Sequence, residues 1–145
     1  GGMNHVVNNT RMKGFEEGCL AVGVKPDKSI IYLENEASAD VERAVDDCLR
    51  KKVDCILCMD DRICTTALVK LRRDKVRIPD DIKIASFYNN EILNSNSPGI
   101  TTLQYDPKEL GVTACKVLFD KLSGKKTEDI KLVGYEVLLK GSTLS

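Results

Sequence analysis

Surplus charge is missing from this sequence: 22 basic and 22 acidic residues cancel, and no stretch gathers lysine and arginine on one face. The electrostatic footprint of a nucleic-acid surface is therefore lacking, and this stretch of chain is not expected to bind DNA by itself. The nearest basic run, Lys70, Arg72, Arg73 and Lys75, is diluted by Asp74 and reads as the solvated end of a helix. Also missing is any apolar run approaching the roughly 20 residues that cross a bilayer, or a charged start followed by an apolar core and a small-residue cleavage site. The expectation is a soluble chain with no membrane partner and no export signal of its own. Internal repeats and low-complexity stretches are absent as well. Histidine occurs once, as His5 in the stretch 4–10, which reads as a polar turn before the first helix. It has no positioned nucleophile or second base beside it, so no catalytic pair forms and an enzyme is not expected. Such a histidine either touches a ligand from above a cleft or is simply exposed.

Cysteine, by contrast, is plentiful: Cys19, Cys48, Cys55, Cys58, Cys64 and Cys115. The Cys55-x-x-Cys58 spacing is that of metal ligands. It lies, however, in the apolar run 53–59, which reads as a buried strand, and residues three apart on a strand face opposite sides. Free cysteine packs as a small hydrophobe, so the expectation is a reduced, cytoplasmic protein without metal or other cofactor.

The 42% apolar content of the 145 residues suffices for one domain's core. Helical and strand patterns alternate along it, which means α/β. Met12, Phe15, Cys19 and Leu20 give one face of a helix over 9–22, ended by Gly23. Residues 29–33 read as a short strand. Ser38 is placed to cap a helix whose stripe is Val41, Ala44, Val45, Cys48 and Leu49. The strand 53–59 and a helix over 62–74 follow, the latter turning Ile63, Ala67, Leu68 and Leu71 inward. Pro79-Asp80-Asp81 is turn chemistry before a strand over 82–87, covered on most of both faces. Residues 89–99 read as a loop or broken helical turn, and 100–104 as a short extended piece. Asp106-Pro107 then opens a helix, with Glu109 at its third position. Leu110, Ala114, Val117, Leu118 and Leu122 mark that helix's buried face, Gly124 closes it, and 130–140 reads as a strand interrupted at Gly134. Such units predict an open, mostly parallel sheet flanked by helices, joined by right-handed crossovers. Ligands of such sheets bind at the carboxyl ends of the strands, which singles out Asp60, Asp61, Tyr88, Asn89 and Asn90.

The motifs Arg11-Met-Lys-Gly-Phe15, Ile56-Leu-Cys-Met-Asp-Asp61, Ile78-Pro-Asp-Asp-Ile82, Ala85-Ser-Phe-Tyr-Asn89, Ile100-Thr-Thr-Leu103 and Glu109-Leu110-Gly111 come in series. Each is short, but in this order and spacing they resemble the lac repressor/galactose repressor family. That family has an Arg-x-x-Gly-Phe helix start, an Asn-Asp pair after a buried strand, a Pro-Asp-Asp strand entry, a Gly-Phe-Asp-Asp end, a Leu-Thr-Thr strand and a Glu-Leu-Gly helix. The resemblance implies a core of two α/β lobes of the periplasmic-binding-protein-like type, with a small polar effector, a sugar or other metabolite, in the cleft between them. It also implies a separate amino-terminal helix-turn-helix head that alone reads DNA, and a homodimer. Residues 1–99 then form a second-lobe segment, 100–128 the crossover and helix that belong with the first lobe, and 129–145 the terminal strand region. Gly1-Gly2-Met3 looks like the turn after the second lobe's first strand, so that interior strand is expected to be lacking and to leave a slot in the sheet.

Carried over residue by residue, the resemblance places Arg11 as a cleft contact, and a guanidinium fork can indeed donate paired bonds to hydroxyls or a carboxylate; the plain alternative is an exposed first-turn arginine. Asp60 falls where effector hydroxyls are bonded, and Asp61 is expected to cap the helix that follows. Tyr88 and Asn89 stand where the family usually has two aspartates, so an anionic acceptor is replaced by an aromatic face with one hydroxyl, a departure from the usual hexose site. Tyr105 either reaches the cleft or merely packs. By the same analogy Ile63, Ala67, Ile92 and Leu93 lie at a subunit interface. Two other readings compete on the same residues. A phosphotransfer receiver would use Asp60 and Asp61 with magnesium, but it also needs an acceptor aspartate after another strand and a lysine after the last; Phe87-Tyr88 and Leu103-Gln104 hold neither. A periplasmic sugar-binding protein shares the two-lobed fold, but six unpaired cysteines and the Pro-Asp-Asp-Ile and Thr-Thr motifs count against it.

Overall fold

The computed structural model describes residues 5–33 and 37–144, and contacts divide the chain into two compact units, 1–33 and 34–145. The first holds helix α1, His5–Ala21. The polar stretch expected as a turn is already helical from His5, since neither proline nor glycine interrupts it before Gly14. Met12, Phe15 and Cys19 are half-buried while Leu20 is 63% exposed, so the inward stripe is narrower than its spacing suggested. Gly23 ends the helix at φ 77°. Its N–H donates to Leu20 O at 3.0 Å, and Val24 N–H donates to Cys19 O at 2.8 Å, a closure that needs a left-handed residue. The strand expected over 29–33 does not form. Asp27 instead accepts from Ser29 N at 2.8 Å and from Ser29 Oγ at 3.0 Å, winding Lys28–Ile30 into a single 3-10 turn. Ile31 is extended at φ −108°, ψ 118°, but it joins no sheet ladder among the described residues. The expected Gly1-Gly2-Met3 turn lies outside the described residues.

The second unit carries α2 (Ser38–Arg50), β1 (Cys55–Cys58), α3 (Asp61–Arg73), β2 (Lys83–Ser86), α4 (Glu91–Ser95), β3 (Thr101–Tyr105), α5 (Pro107–Leu122) and β4 (Tyr135–Leu138). The strands form one sheet in the order β1-β2-β3-β4. β1 runs parallel to β2, and β2 to β3, while β4 is antiparallel to β3. The architecture is therefore an open, mixed α/β sheet flanked by helices, as the alternation of patterns predicted.

Val41, Val45 and Cys48 of α2 are buried, with Ala44 and Leu49 half-buried beside them. Ser38 is not the cap. Ala37 is the N-cap residue, and Asp40 reaches back to accept from its N–H at 2.9 Å. α3 buries Cys64, Ala67, Leu68 and Leu71. These helices pack with Ile82, Ile84, Leu93 and Ile100 into one core. Lys70, only 7% exposed, bridges them through Asp46 of α2 and Asp74 at the end of α3, and Arg73 pairs with Glu42 at 2.7 Å. Beyond α3, Arg77 grips Asp81 in the turn with Nη2 donating to Oδ1 at 2.6 Å and Nε to Oδ2 at 3.0 Å. Those bonds hold the Asp81 carboxyl below its ordinary range.

Cys55 is exposed and Cys58 buried, so the two lie on opposite faces, as strand geometry requires. Cys58 packs against Cys64, and that thiol contact together with burial keeps the Cys58 thiol well above its usual range. α5 departs from expectation. Asp106 caps it, accepting from Lys108 N at 2.8 Å, with Pro107 in the first turn. None of its residues is buried, however: Leu110, Leu118 and Leu122 are 43%, 55% and 74% exposed. The terminal strand is shorter than expected, and the residues before Gly134 form no ladder. Among the described residues no helix is long and apolar enough to cross a membrane.

Candidate functional site

Three parallel strands end on one side of the sheet, and the loops that leave them are stitched together by amide side chains. Phe87 N–H donates to Cys58 O at 3.0 Å, which carries the β1–β2 ladder just past Ser86. From there Asn89 Nδ2 donates to Gln104 Oε1 at 2.9 Å, joining the end of β2 to β3. Asn90 Nδ2 donates to Asp61 Oδ2, also at 2.9 Å, joining the end of β2 to the start of α3. Asn90 at the same time caps α4, its Oδ1 accepting from Leu93 N at 2.8 Å. Tyr88 is set by its backbone, whose N–H donates to Ser86 Oγ at 3.2 Å.

Tyr88, Asn89, Leu103, Gln104, Tyr105 and Pro107 line a hollow of about 280 Å³, near the small end of the range for small-molecule sites. Two tyrosines, each 37% exposed, give it aromatic walls, and two amides give it donors and acceptors. That combination suits a polar ligand with a flat or weakly apolar face. Lys140 stands behind Asn89, its Nζ donating to Asn89 Oδ1 at 3.4 Å and to Thr102 Oγ1 at 3.2 Å. Burial pushes the Lys140 ammonium below its ordinary range.

Of the residues picked from the sequence, Tyr88, Asn89 and Tyr105 come together around this hollow. Asp60 and Asp61 stand at the end of β1 with their expected local roles exchanged. Asp60 is the cap of α3, its Oδ1 accepting from Ile63 N at 2.7 Å, while Asp61 accepts from Asn90. The strand ends one residue before it was expected to, and that brings Asp60 rather than Asp61 into the extended cap conformation, φ −147° and ψ 171°. Asp60→Ala is therefore expected to cost about 1 kcal/mol of stability, and Asp60→Ser to restore most of it, both read by urea unfolding. A full loss in both variants would mean that the carboxylate does something other than cap.

Arg11 lies on α1 in the first unit, half-buried. His5 opens that helix, and its side chain falls outside what the structure describes. The interface residues divide. Ala67 and Leu93 are 1% and 0% exposed, and both are consumed by this chain's own core. The expectation that they face a partner is corrected on that ground. Ile63 is half-buried, and Ile92 is 61% exposed. Sequence reasoning missed Gln104 and Lys140. Gln104 sits next to Tyr105 at the carboxyl end of β3, so its place at a strand end was the available signal. Lys140 is 51 positions from Asn89, and only the long-range pairing of β4 with β3 brings it there. Among the described residues no group of three or more His, Cys, Asp or Glu could hold a metal ion.

In an open α/β sheet, the carboxyl ends of the parallel strands, where this hollow lies, are where ligands commonly bind. The sequence profile of the periplasmic binding protein-like domain matches residues 3–143. The chain belongs to that family. Its relatives include the HTH-type transcriptional repressor PurR of Aliivibrio fischeri, 26% identical over 132 residues, covering 88% of this chain and 39% of the relative. Another is the HTH-type transcriptional regulator CelR of Thermobifida fusca, 23% identical over 135 residues, covering 92% of this chain and 40% of the relative. The chain thus spans about two fifths of the length of these curated relatives. Among solved structures, the transcription regulator CcpA of Lactococcus lactis matches with a TM-score of 0.84 at 22% identity, over 98% of this chain and 53% of that one. A CelR–cellobiose complex matches at 0.80 and 23%, over 98% of this chain and 44% of that one. These likenesses are to regulators rather than enzymes.

Proposed function

We propose that the chain is the carboxy-terminal part of the effector-binding core of a cytoplasmic transcription regulator, which binds a small polar ligand and thereby modulates operator binding by a separate helix-turn-helix head. The observation that carries this reading is the hollow itself: Tyr88, Asn89 and Tyr105 gather around it at the carboxyl ends of β2 and β3. These three, with Asp60, are the proposed ligand contacts. Arg11 is added on the strength of its motif and its guanidinium fork. Residues 1–99 form the second-lobe segment, 100–128 the crossover and a helix that belongs with the other lobe, and 129–145 the terminal strand region. The exposed apolar face of α5 supports that division, because a large apolar stripe left open calls for a cover. A homodimer with Ile92 and Ile63 in its interface completes the proposal. Effector binding then alters lobe closure and, through the dimer, the spacing of the DNA heads, a coupling of about 1–3 kcal/mol that must be reciprocal between operator and effector.

A thermal-shift screen of sugars, nucleosides and amino acids against the full-length protein tests this. A ligand present about 100-fold above its Kd stabilises by about 2.7 kcal/mol, which for a domain of this size raises Tm by several degrees. Arg11→Ala and Tyr88→Ala are each expected to shrink that shift. An unchanged shift in both variants would sink the site assignment. A transporter's binding protein is the competing reading, favoured by the shared fold alone; an upstream export signal in place of a helix-turn-helix would decide for it.

A further inference from the structure

Lys140 is a cation surrounded by neutral oxygens. Its Nζ donates to Asn89 Oδ1 at 3.4 Å, to Thr102 Oγ1 at 3.2 Å and to Asn94 Oδ1. Lys70, a buried cation of the same unit, is by contrast matched by two acids, Asp46 and Asp74. Among the described residues no ion pair includes Lys140. Three acceptors and no donor around Nζ suit the protonated amine, but amide and hydroxyl dipoles leave its charge uncompensated. The acids of the neighbouring loop are engaged otherwise, Asp60 with the Ile63 N–H and Asp61 with Asn90.

Asn89 links this charge to the hollow. Its Oδ1 accepts from Lys140 while its Nδ2 donates to Gln104, and both Asn89 and Gln104 line the cavity. A ligand seated there is one side chain away from an unmatched positive charge. At that range and in a half-buried setting, Coulombic attraction remains appreciable; the six residues that line the hollow are neutral, and the one anionic contact proposed, Asp60, has an oxygen taken up by the Ile63 N–H. We propose that the hollow selects ligands bearing an anionic group, a carboxylate or a phosphate, over their neutral counterparts, with Lys140 as the specificity-determining charge. This rests on the reading of the hollow as the ligand site.

Matched probes test it: glucose, glucuronate, glucose 6-phosphate and inorganic phosphate, titrated into the protein at fixed ionic strength and read by calorimetry. At least one of the two anionic sugars is expected to bind about tenfold or more tightly than glucose. In Lys140→Met that gap should close to about twofold, and Asn89→Asp, which sets a carboxylate against Nζ, should close it as well. Circular dichroism melts establish that each variant is folded. Equal binding of neutral and anionic sugars to the wild type, or a gap that survives in both variants, overturns the selectivity and leaves the ligand-site reading standing. If inorganic phosphate binds the wild type and Lys140→Met alike, the anion is not recognised by Lys140 and the proposal fails. Binding of no probe here, together with no hit in the wider screen, removes both readings.

Discussion

Replacing Leu71 by alanine is expected to lower the free energy of unfolding by about 2–5 kcal/mol. Leu71 is 0% exposed and sits at the inner face of α3, in the same core as Val41 and Val45 of α2 and Ile82 and Ile84 at β2. Nothing beside it can collapse into the gap without pulling a helix toward the sheet, so the cavity cost adds to the lost transfer energy. Val69, two residues away on the same helix but 56% exposed, is the internal control: Val69→Ala should change stability by no more than about 0.5 kcal/mol. Urea unfolding followed by circular dichroism measures both. If the two variants lose equal amounts, α3 is not seated as described.

Ser142→Ala is expected to cost about 2–3 kcal/mol, a large loss for the removal of one oxygen, because it orphans two buried backbone groups at once. Ser142 Oγ donates to Ile84 O at 2.6 Å and accepts from Thr101 N at 2.8 Å. Its own backbone accepts from Ile84 N at 3.3 Å and donates to Gly99 O at 3.0 Å. A segment that lies beyond the last strand thus supplies hydrogen bonds at the starts of two others. Hydrogen exchange of the Thr101 amide reports the same event, and its protection should fall with stability. Retained protection with a loss below about 0.5 kcal/mol would mean that water replaces the hydroxyl.

These two sites also mark what a sequence can and cannot announce. Leu71 stands in a stripe with Leu68 and Ala67 that local periodicity makes plain, and α2, α3 and β2 formed where their patterns put them. Ser142 carries no such mark, because its partners are 41 and 58 positions away. Lys140 was invisible for the same reason. Residues 29–33 failed differently: they have the composition of a strand, but a strand exists only when another pairs with it, and the Asp27 side chain offered the backbone a local alternative. In α5 the apolar stripe is genuine, yet a stripe predicts burial only where something covers it. The proposed site was half legible. Strand ends in a parallel sheet pointed to Tyr88, Asn89 and Asn90, and motif order pointed to Asp60, but the exchange of roles between Asp60 and Asp61 turned on a single residue of strand length, below what pattern reading resolves.

The central claim is that ligand enters at the carboxyl ends of β2 and β3. Amide chemical-shift mapping on the isotopically labelled protein, titrated with the strongest hit from the ligand screen, tests it most directly. The account predicts the largest shifts at Tyr88, Asn89, Asn90, Gln104 and Tyr105, with a smaller response at Lys140. Shifts concentrated instead on the outer face of α2, with those five amides unmoved, would contradict it.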